Sequence, residues 1–518
     1  DLKTLYTRLA EKLDALFRIH KTVDVPPYLI YQFARNGGKH DIASRYAFAA
    51  GEEFYQRSDH QQAMDALGGL FDKLKPPNVL NPIQMQYAFQ LCLYLGKSAM
   101  RLSRFRHGDF EKSGLFAEDC LAKAENYLSQ SMLPELLLSR LDIAYAMGNA
   151  EEMIILLERF KALLKQQNSS EERESPQLLL EKSRLSLLHF VYLLRARYIA
   201  RNAAGRPMPD FHNFEMDFQN AMYFLENLQK KNPQIFQHPV LQTIRSEICR
   251  LAGNLQIDKI RRGLQNSDFE DTGFADIPDR RDDEDVIVAG LTENQKEMAQ
   301  TAFAYYQSVI HDVSHRTALM DVRGAISAFG QMSALHAFFG DIGDDDDVDH
   351  VQEMQNTYEE GLRMAMNYHI PVEVVRLMKA QGDRYLGLYK KYRKNNKDND
   401  SLSQAKKYLE KSLTLLHDAL NTCRGYGDLM EDPHEEFYCL GGLLSAYRKK
   451  YIDFENDSSR NAFFNTFREF WKSEKGRAYL EDNRDFFLPL AKDVLRKVSK
   501  DEFSSFEELS RLIETLSL

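Results

Sequence analysis

Cysteine, tryptophan, glycine and proline are all sparse in this sequence of 518 residues. The odd number of cysteines and the absence of a C-x-x-C pair do not fit a disulfide framework. They indicate reduced, cytosolic thiols, each a small core residue. The cysteines are Cys92, Cys120, Cys249, Cys423 and Cys439.

No hydrophobic run reaches the roughly 18 residues that a membrane-spanning helix requires. The longest apolar stretch, Leu187 to Leu194, is interrupted by His189 and therefore predicts a buried core helix. The first residues, 1 to 3, carry no signal peptide and no initiator Met, so we expect the chain to begin inside the natural one. These features together predict a cytoplasmic protein without a membrane segment.

The formal net charge of the chain is -10, which is moderately acidic. A nucleic-acid-binding protein presents a basic face to the phosphate backbone, so this balance argues against direct nucleic-acid binding. An acidic surface favours a basic protein partner instead, because opposite fields speed encounter and set orientation.

Motifs of catalysis are absent or incomplete. His311 and His315 stand at i and i+4 of a helical pattern and resemble an H-E-x-x-H zinc site, but Asp312 replaces the glutamate. The acidic run 344–347 lacks the spacing of a calcium loop, and Lys39 follows two glycines without the rest of a phosphate loop. The sequence predicts no enzyme and no cofactor, and a metal-dependent hydrolase using His311 and His315 is the alternative.

Long stretches with helical periodicity follow one another at short spacing, and strand-like alternation is nearly absent. The clearest internal unit runs from residue 44 to residue 75. It places Gly51, then Phe54 three residues later, Ala63 nine further on, and Leu67 and Leu70 after that. This spacing resembles a tetratricopeptide repeat, in which small residues let paired helices touch and large ones fill the gap to the next repeat.

Weaker copies of the same pattern recur along the chain. They are centred on Gly96 with Ala117, on Leu141 with Leu157, and on Gly382 with Leu409. The resemblance implies an all-α array of degenerate tetratricopeptide-like helical hairpins, an architecture that usually serves as a protein-binding scaffold.

Two acidic segments predict breaks in this array, because blocks of like charge repel and stay solvated. One lies in residues 266–291 and the other in residues 341–349, and a third break precedes Pro371. We therefore expect an N-terminal helical repeat array over 1–265, an acidic linker over 266–291, a middle helical segment over 292–370 and a C-terminal helical unit over 371–518.

The strongest predicted partner-binding face is aromatic and lies in the C-terminal unit. Its offsets of 0, 1, 4, 7 and 8 place all members on one helical stripe. Such a stripe is either core or a groove anchor, since large aromatic side chains dominate binding hot spots. The members are Phe463, Phe464, Phe467, Phe470 and Trp471, the last being the only tryptophan.

Met378-Lys379 is the only Met-Lys bond in the chain, and it separates a large N-terminal part from residues 379–518. This layout resembles the helical accessory protein of type III-E CRISPR systems. The resemblance implies one cut after Met378 and before Lys379, made by an RNA-guided complex that carries a caspase-like peptidase. It also implies that the intact chain binds and restrains an extracytoplasmic-function sigma factor, and that the cut ends the restraint.

The sequence thus leads to a non-catalytic, protease-switched regulator of a sigma factor in CRISPR-linked antiviral signalling. A generic tetratricopeptide-like protein-binding scaffold or effector is the alternative within the binding class.

Overall fold

The structure is a computed structural model that describes residues 2–19, 25–56, 60–103, 110–168, 175–201, 208–261, 293–313, 319–339, 349–368, 370–395, 399–426, 434–454 and 457–497. The described residues are almost entirely helical and contain no β-sheet, which confirms the predicted all-α class. Most helices that are consecutive in sequence also pack against each other, as helical hairpins do.

The first twelve helices run from residue 2 to residue 261. They are α1 Leu2–Ile19, α2 Pro27–Gly37, α3 His40–Gln56, α4 His60–Phe71, α5 Pro82–Ser103, α6 Phe110–Glu125, α7 Leu133–Ala146, α8 Ala150–Asn168, α9 Pro176–Tyr198, α10 Phe211–Lys231, α11 Pro233–Phe236 and α12 Pro239–Arg261.

Nine further helices are described after residue 292. They are α13 Glu293–Val313, α14 Leu319–Phe339, α15 His350–Asn367, α16 Pro371–Asn395, α17 Asn399–Tyr426, α18 His434–Phe454, α19 Asp457–Trp471, α20 Glu474–Asp482 and α21 Arg484–Lys497.

Several helices begin where the sequence supplies a capping side chain. Before α5, the Asn81 side chain accepts a hydrogen bond from the backbone N–H of Gln84 at 2.9 Å, and the Gln84 side chain accepts one from the backbone N–H of Asn81 at 3.1 Å. This reciprocal pair is a capping box, and Pro82 occupies the first helical turn, where a missing N–H costs nothing. Ser175 caps α9 and Asp349 caps α15 in the simpler one-sided way.

The tetratricopeptide-like unit predicted around Gly51 forms the hairpin of α3 and α4. A β-carbon on Gly51 would lie 2.5 Å from the Leu67 side chain, so only a glycine lets these helices approach so closely. Gly96 does the same between α5 and α6, where its β-carbon would meet Cys120 at 3.1 Å. The predicted role of these small residues is confirmed.

The chain divides into two compact units, residues 1–248 and 249–518. This division lies inside α12, and residues on both sides of position 370 belong to the second unit. The acidic segment 266–291 lies outside the described residues, so the predicted domain boundaries stay predictions. Pro371 is the first residue of α16, where its missing N–H is tolerated.

The cores of the two units differ in extent. In the first unit the buried residues form several clusters, each confined to a few neighbouring helices. In the second unit one large cluster runs from α15 to α21, and two smaller clusters involve helices from α12 to α17. All five cysteines are buried free thiols within these cores, as predicted. Burial raises the pKa of Cys92 and Cys120 to about 12, which leaves both thiols unreactive.

Candidate partner-binding and cleavage sites

The predicted aromatic stripe lies on α19 and faces the core of the second unit. Phe463 and Phe470 are fully buried, and Phe464 and Phe467 are nearly so. The Phe470 ring packs 5.6 Å from Phe437 and 5.2 Å from Phe487, measured between ring centroids. These four rings are not available to a partner in this conformation, so the geometry favours the core alternative.

Trp471 differs from the four phenylalanines of the stripe. Its side chain is only half-buried against the large core cluster, and its backbone carbonyl accepts a hydrogen bond from Arg477 at 3.0 Å. Trp471 is therefore the member of the stripe that solvent reaches. Whether the stripe anchors a partner stays a prediction.

The Met378-Lys379 bond lies in the first half of α16, inside a continuous helix. The Met378 side chain is half-buried and packs against two core clusters at once, the large one and the one built around Val322 and Ile326. The Lys379 ammonium pairs with the Asp383 carboxylate one helical turn later, at 2.5 Å. Burial opposes the charge on Lys379, but Asp383 outweighs it and raises the pKa of the ammonium.

A buried polar network holds the second half of α16 to the helices that precede it. The Ser333 hydroxyl of α14 donates to the Met354 carbonyl at 2.8 Å and lies 3.1 Å from the Gln381 side-chain oxygen. Arg384 donates to the Gly330 carbonyl at 2.5 Å. Residues that follow the Met378-Lys379 bond therefore form hydrogen bonds with residues that precede it.

The first half of α16 is held in the opposite sense. The Arg376 guanidinium donates to the Glu435 carboxylate of α18 at 2.5 Å, and Val375 is buried in the large cluster. Residues before the Met378-Lys379 bond thus form an ion pair and apolar contacts with residues that come after it. Contacts on both sides of the bond therefore connect the part of the chain before it with the part after it.

Of the two histidines of the alternative metal site, one lies among the described residues. His311 is exposed near the end of α13, and His315 lies outside the described residues. Within the described ranges, no three His, Cys, Asp or Glu side chains converge in a way that would hold a metal ion. The hydrolase alternative stays a prediction.

The first unit contains a charged ladder that sequence reasoning missed. Helices α3, α5, α7 and α9 pack against one another as well as against their hairpin partners. Across them, Lys97 pairs with Asp142 at 3.2 Å and Arg195 pairs with Asp142 at 3.5 Å. Arg195 also pairs with Glu247 of α12 at 2.9 Å. We call these four residues the ion-pair ladder.

Aromatic side chains flank the ion-pair ladder on the same helices. The Tyr192 hydroxyl donates to Asp142 at 2.6 Å, and the Arg195 guanidinium lies 5.1 Å from the Tyr145 ring. Towards α3, the rings of Phe48 and Tyr87 stand 4.3 Å apart. Tyrosine and arginine are the residue types enriched at binding hot spots.

The charges of the ladder are mutually stabilised. Burial disfavours the charged form of Arg195, but Glu247 and the other neighbouring groups outweigh it and keep the pKa raised. Burial raises the pKa of Tyr192, and Asp142 raises it further. The partners lie about fifty residues apart in sequence. No local motif could therefore have revealed them.

None of the described helices is both long and apolar enough to span a membrane. No protein-family model matches the chain, and no curated protein matches it. A search of solved structures finds "Circular tandem repeat protein with novel repeat topology and enhanced subunit contact surfaces" at 11% sequence identity, covering 99% of this chain and 95% of that one, with a TM-score of 0.26. This similarity is too low to carry an argument about function.

Proposed function

We propose that this chain is a non-catalytic regulatory protein that binds and restrains an extracytoplasmic-function sigma factor. One cut at Met378-Lys379 by an RNA-guided caspase-like peptidase would end the restraint. The partner and the peptidase come from the resemblance to the type III-E CRISPR accessory protein. The all-α hairpin architecture supports the coarser part of the proposal, a protein-binding scaffold.

The position of Met378-Lys379 carries the proposal. A bond cut in a surface loop leaves a core intact, whereas this bond lies in a helix that contributes buried residues to two core clusters. A break there creates two new helix ends whose backbone groups lose their hydrogen-bond partners. One cut in this helix would therefore weaken the packing of both clusters.

The helical state of the bond also sets how a peptidase could reach it. Proteases bind extended chain, so residues around Met378 must leave the helix first. The contacts that oppose this opening are the Lys379–Asp383 pair and the Arg376–Glu435 pair. A dedicated complex that holds the opened segment would supply the specificity that a free protease lacks.

The charge of the chain supports the proposed partner. A sigma factor presents basic surfaces to DNA, and this chain carries a net charge of -10. Complementary fields steer such partners together and orient them. The binding is expected to weaken as salt rises, because exposed charges are screened within about 8 Å at physiological ionic strength.

The test begins with cleavage of the purified chain by the target-activated peptidase complex, read by intact mass. The proposal expects one cut, between Met378 and Lys379, which Met378→Ala abolishes. Met364→Ala, a methionine of the preceding helix, is the matched control and should be cut normally. Absence of a cut, or cutting elsewhere, would overturn the proposed switch.

Binding is tested separately with a purified extracytoplasmic-function sigma factor from the same source, by size-exclusion chromatography before and after the cut. Co-elution of the intact chain is the expected result, and reduced affinity after the cut would show the release. If the sigma factor never binds while the cut occurs, the chain is a protease substrate with another partner. If neither occurs, the generic scaffold alternative remains.

A further inference from the structure

Two cavities flank the turn between α7 and α8 in the first unit. The larger, of about 490 Å³, lies between the start of α8 and the end of α9. The smaller, of about 360 Å³, lies between α6, α7 and α8. Both are lined by Met147 and Asn149, so the Met147 side chain stands at their common border.

The backbone fixes Met147 in this exposed position. Gly148 has φ 68°, a left-handed conformation that glycine adopts without strain, and it ends α7 abruptly. Asn149 then begins α8, and its side chain accepts a hydrogen bond from the Glu152 backbone N–H at 3.1 Å. The thioether is thereby left at the corner of the hairpin, 41% exposed, instead of entering the core.

The cavities have apolar floors. Ile154, Ala196 and Ala200 line the larger one, and Leu115, Ile143 and Leu156 line the smaller one. Leu115 is 64% exposed, although it lies on a helix whose other face is well packed. Large apolar side chains exposed next to a cavity mark a binding surface more often than scattered ones do.

The arginines and the glutamates around the two cavities differ in whether the chain provides them with a partner of opposite charge. Two of the lining arginines are neutralised by the chain itself: Arg140 pairs with Glu125, and Arg197 pairs with Asp217 at 3.1 Å and with Asp210 at 3.4 Å. A third arginine, Arg201, also borders the larger cavity.

The lining glutamates Glu118, Glu151 and Glu152 have no cationic partner among the described residues. Glu151 borders the larger cavity, whereas Glu118 and Glu152 border the smaller one. The smaller cavity therefore combines an apolar floor with a negative rim, whereas Glu151 and Arg201, of opposite charge, both border the larger one.

We propose that this surface, called here the Met147 surface, binds a segment of a partner protein that carries large apolar side chains flanked by lysine or arginine. The apolar side chains would enter the two cavities on either side of Met147, and the cationic ones would pair with the unpaired glutamates. Methionine suits such a border because its flexible thioether adapts to the shape of the ligand. The inference depends neither on the cut at Met378-Lys379 nor on a sigma factor.

The test uses three synthetic peptides of equal length with a fluorescent label. The first has leucine and phenylalanine at helical spacing with lysine and arginine between them. The second replaces the basic residues with glutamate, and the third replaces the apolar residues with serine. Fluorescence anisotropy should show binding of the first peptide, with at least tenfold weaker binding of the second and the third.

The location of binding is read from methionine methyl NMR signals of the full chain. Addition of the first peptide should shift the Met147 signal. Met147→Asp and, separately, the charge reversal Glu151→Lys should each weaken the first peptide at least tenfold. Ile83→Asp is the matched control, because Ile83 is 79% exposed on α5, outside both cavities, and should leave binding unchanged.

Three results would overturn the inference. They are equal binding of the first two peptides, an unmoved Met147 signal with the first peptide bound, and unchanged binding by both variants with circular dichroism unaltered. Sedimentation of the chain alone tests whether a second copy of the chain occupies this surface. If it self-associates and Met147→Asp makes it monomeric, the surface is a contact between two copies instead.

Discussion

The two units of this chain differ in the interactions that connect the helices inside each unit. In the first, several smaller apolar clusters each extend over a few neighbouring helices, and charged side chains add further links between one hairpin and the next. In the second, aromatic rings from several helices merge into one large cluster. The difference teaches that a helical array can combine small apolar clusters with paired charges or rely on one large apolar cluster, and the two should fail differently when a side chain is removed.

The largest effect is expected from Phe470→Ala in the aromatic cluster. Removing a fully buried ring leaves a cavity, and such substitutions cost about 3 to 5 kcal/mol of unfolding free energy. Urea denaturation followed by Trp471 fluorescence measures the loss, since the only tryptophan lies at the end of the same helix. The control is Phe486→Ala, whose ring is 40% exposed and whose loss should cost much less. Equal costs for both variants would contradict a single shared core.

Arg195→Met breaks the ion-pair ladder and should cost about 3 kcal/mol, because the partly buried carboxylates of Asp142 and Glu247 both lose the Arg195 cation, although Asp142 keeps Lys97. The expected signature is faster hydrogen exchange in α7, α9 and α12, with the Trp471 signal unchanged. Arg35→Met removes an exposed pair with Asp65 and should stay within about 1 kcal/mol of the wild type. Exchange confined to α9 alone would show that the ladder does not couple the hairpins.

Gly51→Ala tests the close approach inside a single hairpin. The added β-carbon would collide with Leu67 at 2.5 Å, and such overpacking costs about 1 to 3 kcal/mol. Gly68→Ala in the partner helix meets no atom within 4 Å and should instead stabilise the chain by about 0.5 to 1 kcal/mol. Thermal unfolding followed by circular dichroism should therefore move in opposite directions for the two alanines, and a shared direction would exclude the proposed contact.

The smallest effect concerns pH and belongs to the first unit. Burial, assisted by Lys161, lowers the pKa of His189 from 6.5 to about 4. The unfolded chain therefore takes up a proton before the folded one does, and stability is lost as pH falls through this interval. Between about pH 7 and about pH 5.5 the loss should be about 1 kcal/mol. His189→Gln should flatten the pH dependence of urea unfolding, and an unchanged slope would assign that dependence to other groups.

The helical class and the close-packed glycines could be predicted because their causes are local. The spacing of Gly51, Phe54 and Ala63 reflects one hairpin, and the capping residues before α5 act within four positions. The same periodicity could not decide whether the Phe463 stripe is buried, since a helical stripe has the same spacing in a core and in a groove. Burial of the stripe depends on α18 and α21, which supply the aromatic rings that cover it.

For the cleavage bond and for the Met147 surface, one part was also visible in the sequence and another part depended on the fold. Met378-Lys379 was recognisable as a dipeptide, but its place between two clusters depends on α14, α15 and α18. The Met147 surface had a local trace in the Gly148-Asn149 turn, whereas its glutamates could be recognised as unpaired only after Arg140 and Arg197 were seen to pair with other carboxylates.

The ion-pair ladder also restricts how such an array can be rearranged by gene duplication or deletion. Asp142 accepts a cation from the preceding hairpin and another from the following one, and Glu247 completes the alternation of charge. Loss of the hairpin that carries Asp142 would bring Lys97 and Arg195 face to face, two cations with no anion between them. The hairpins are therefore not interchangeable modules, and their order along the chain is constrained by charge as well as by shape.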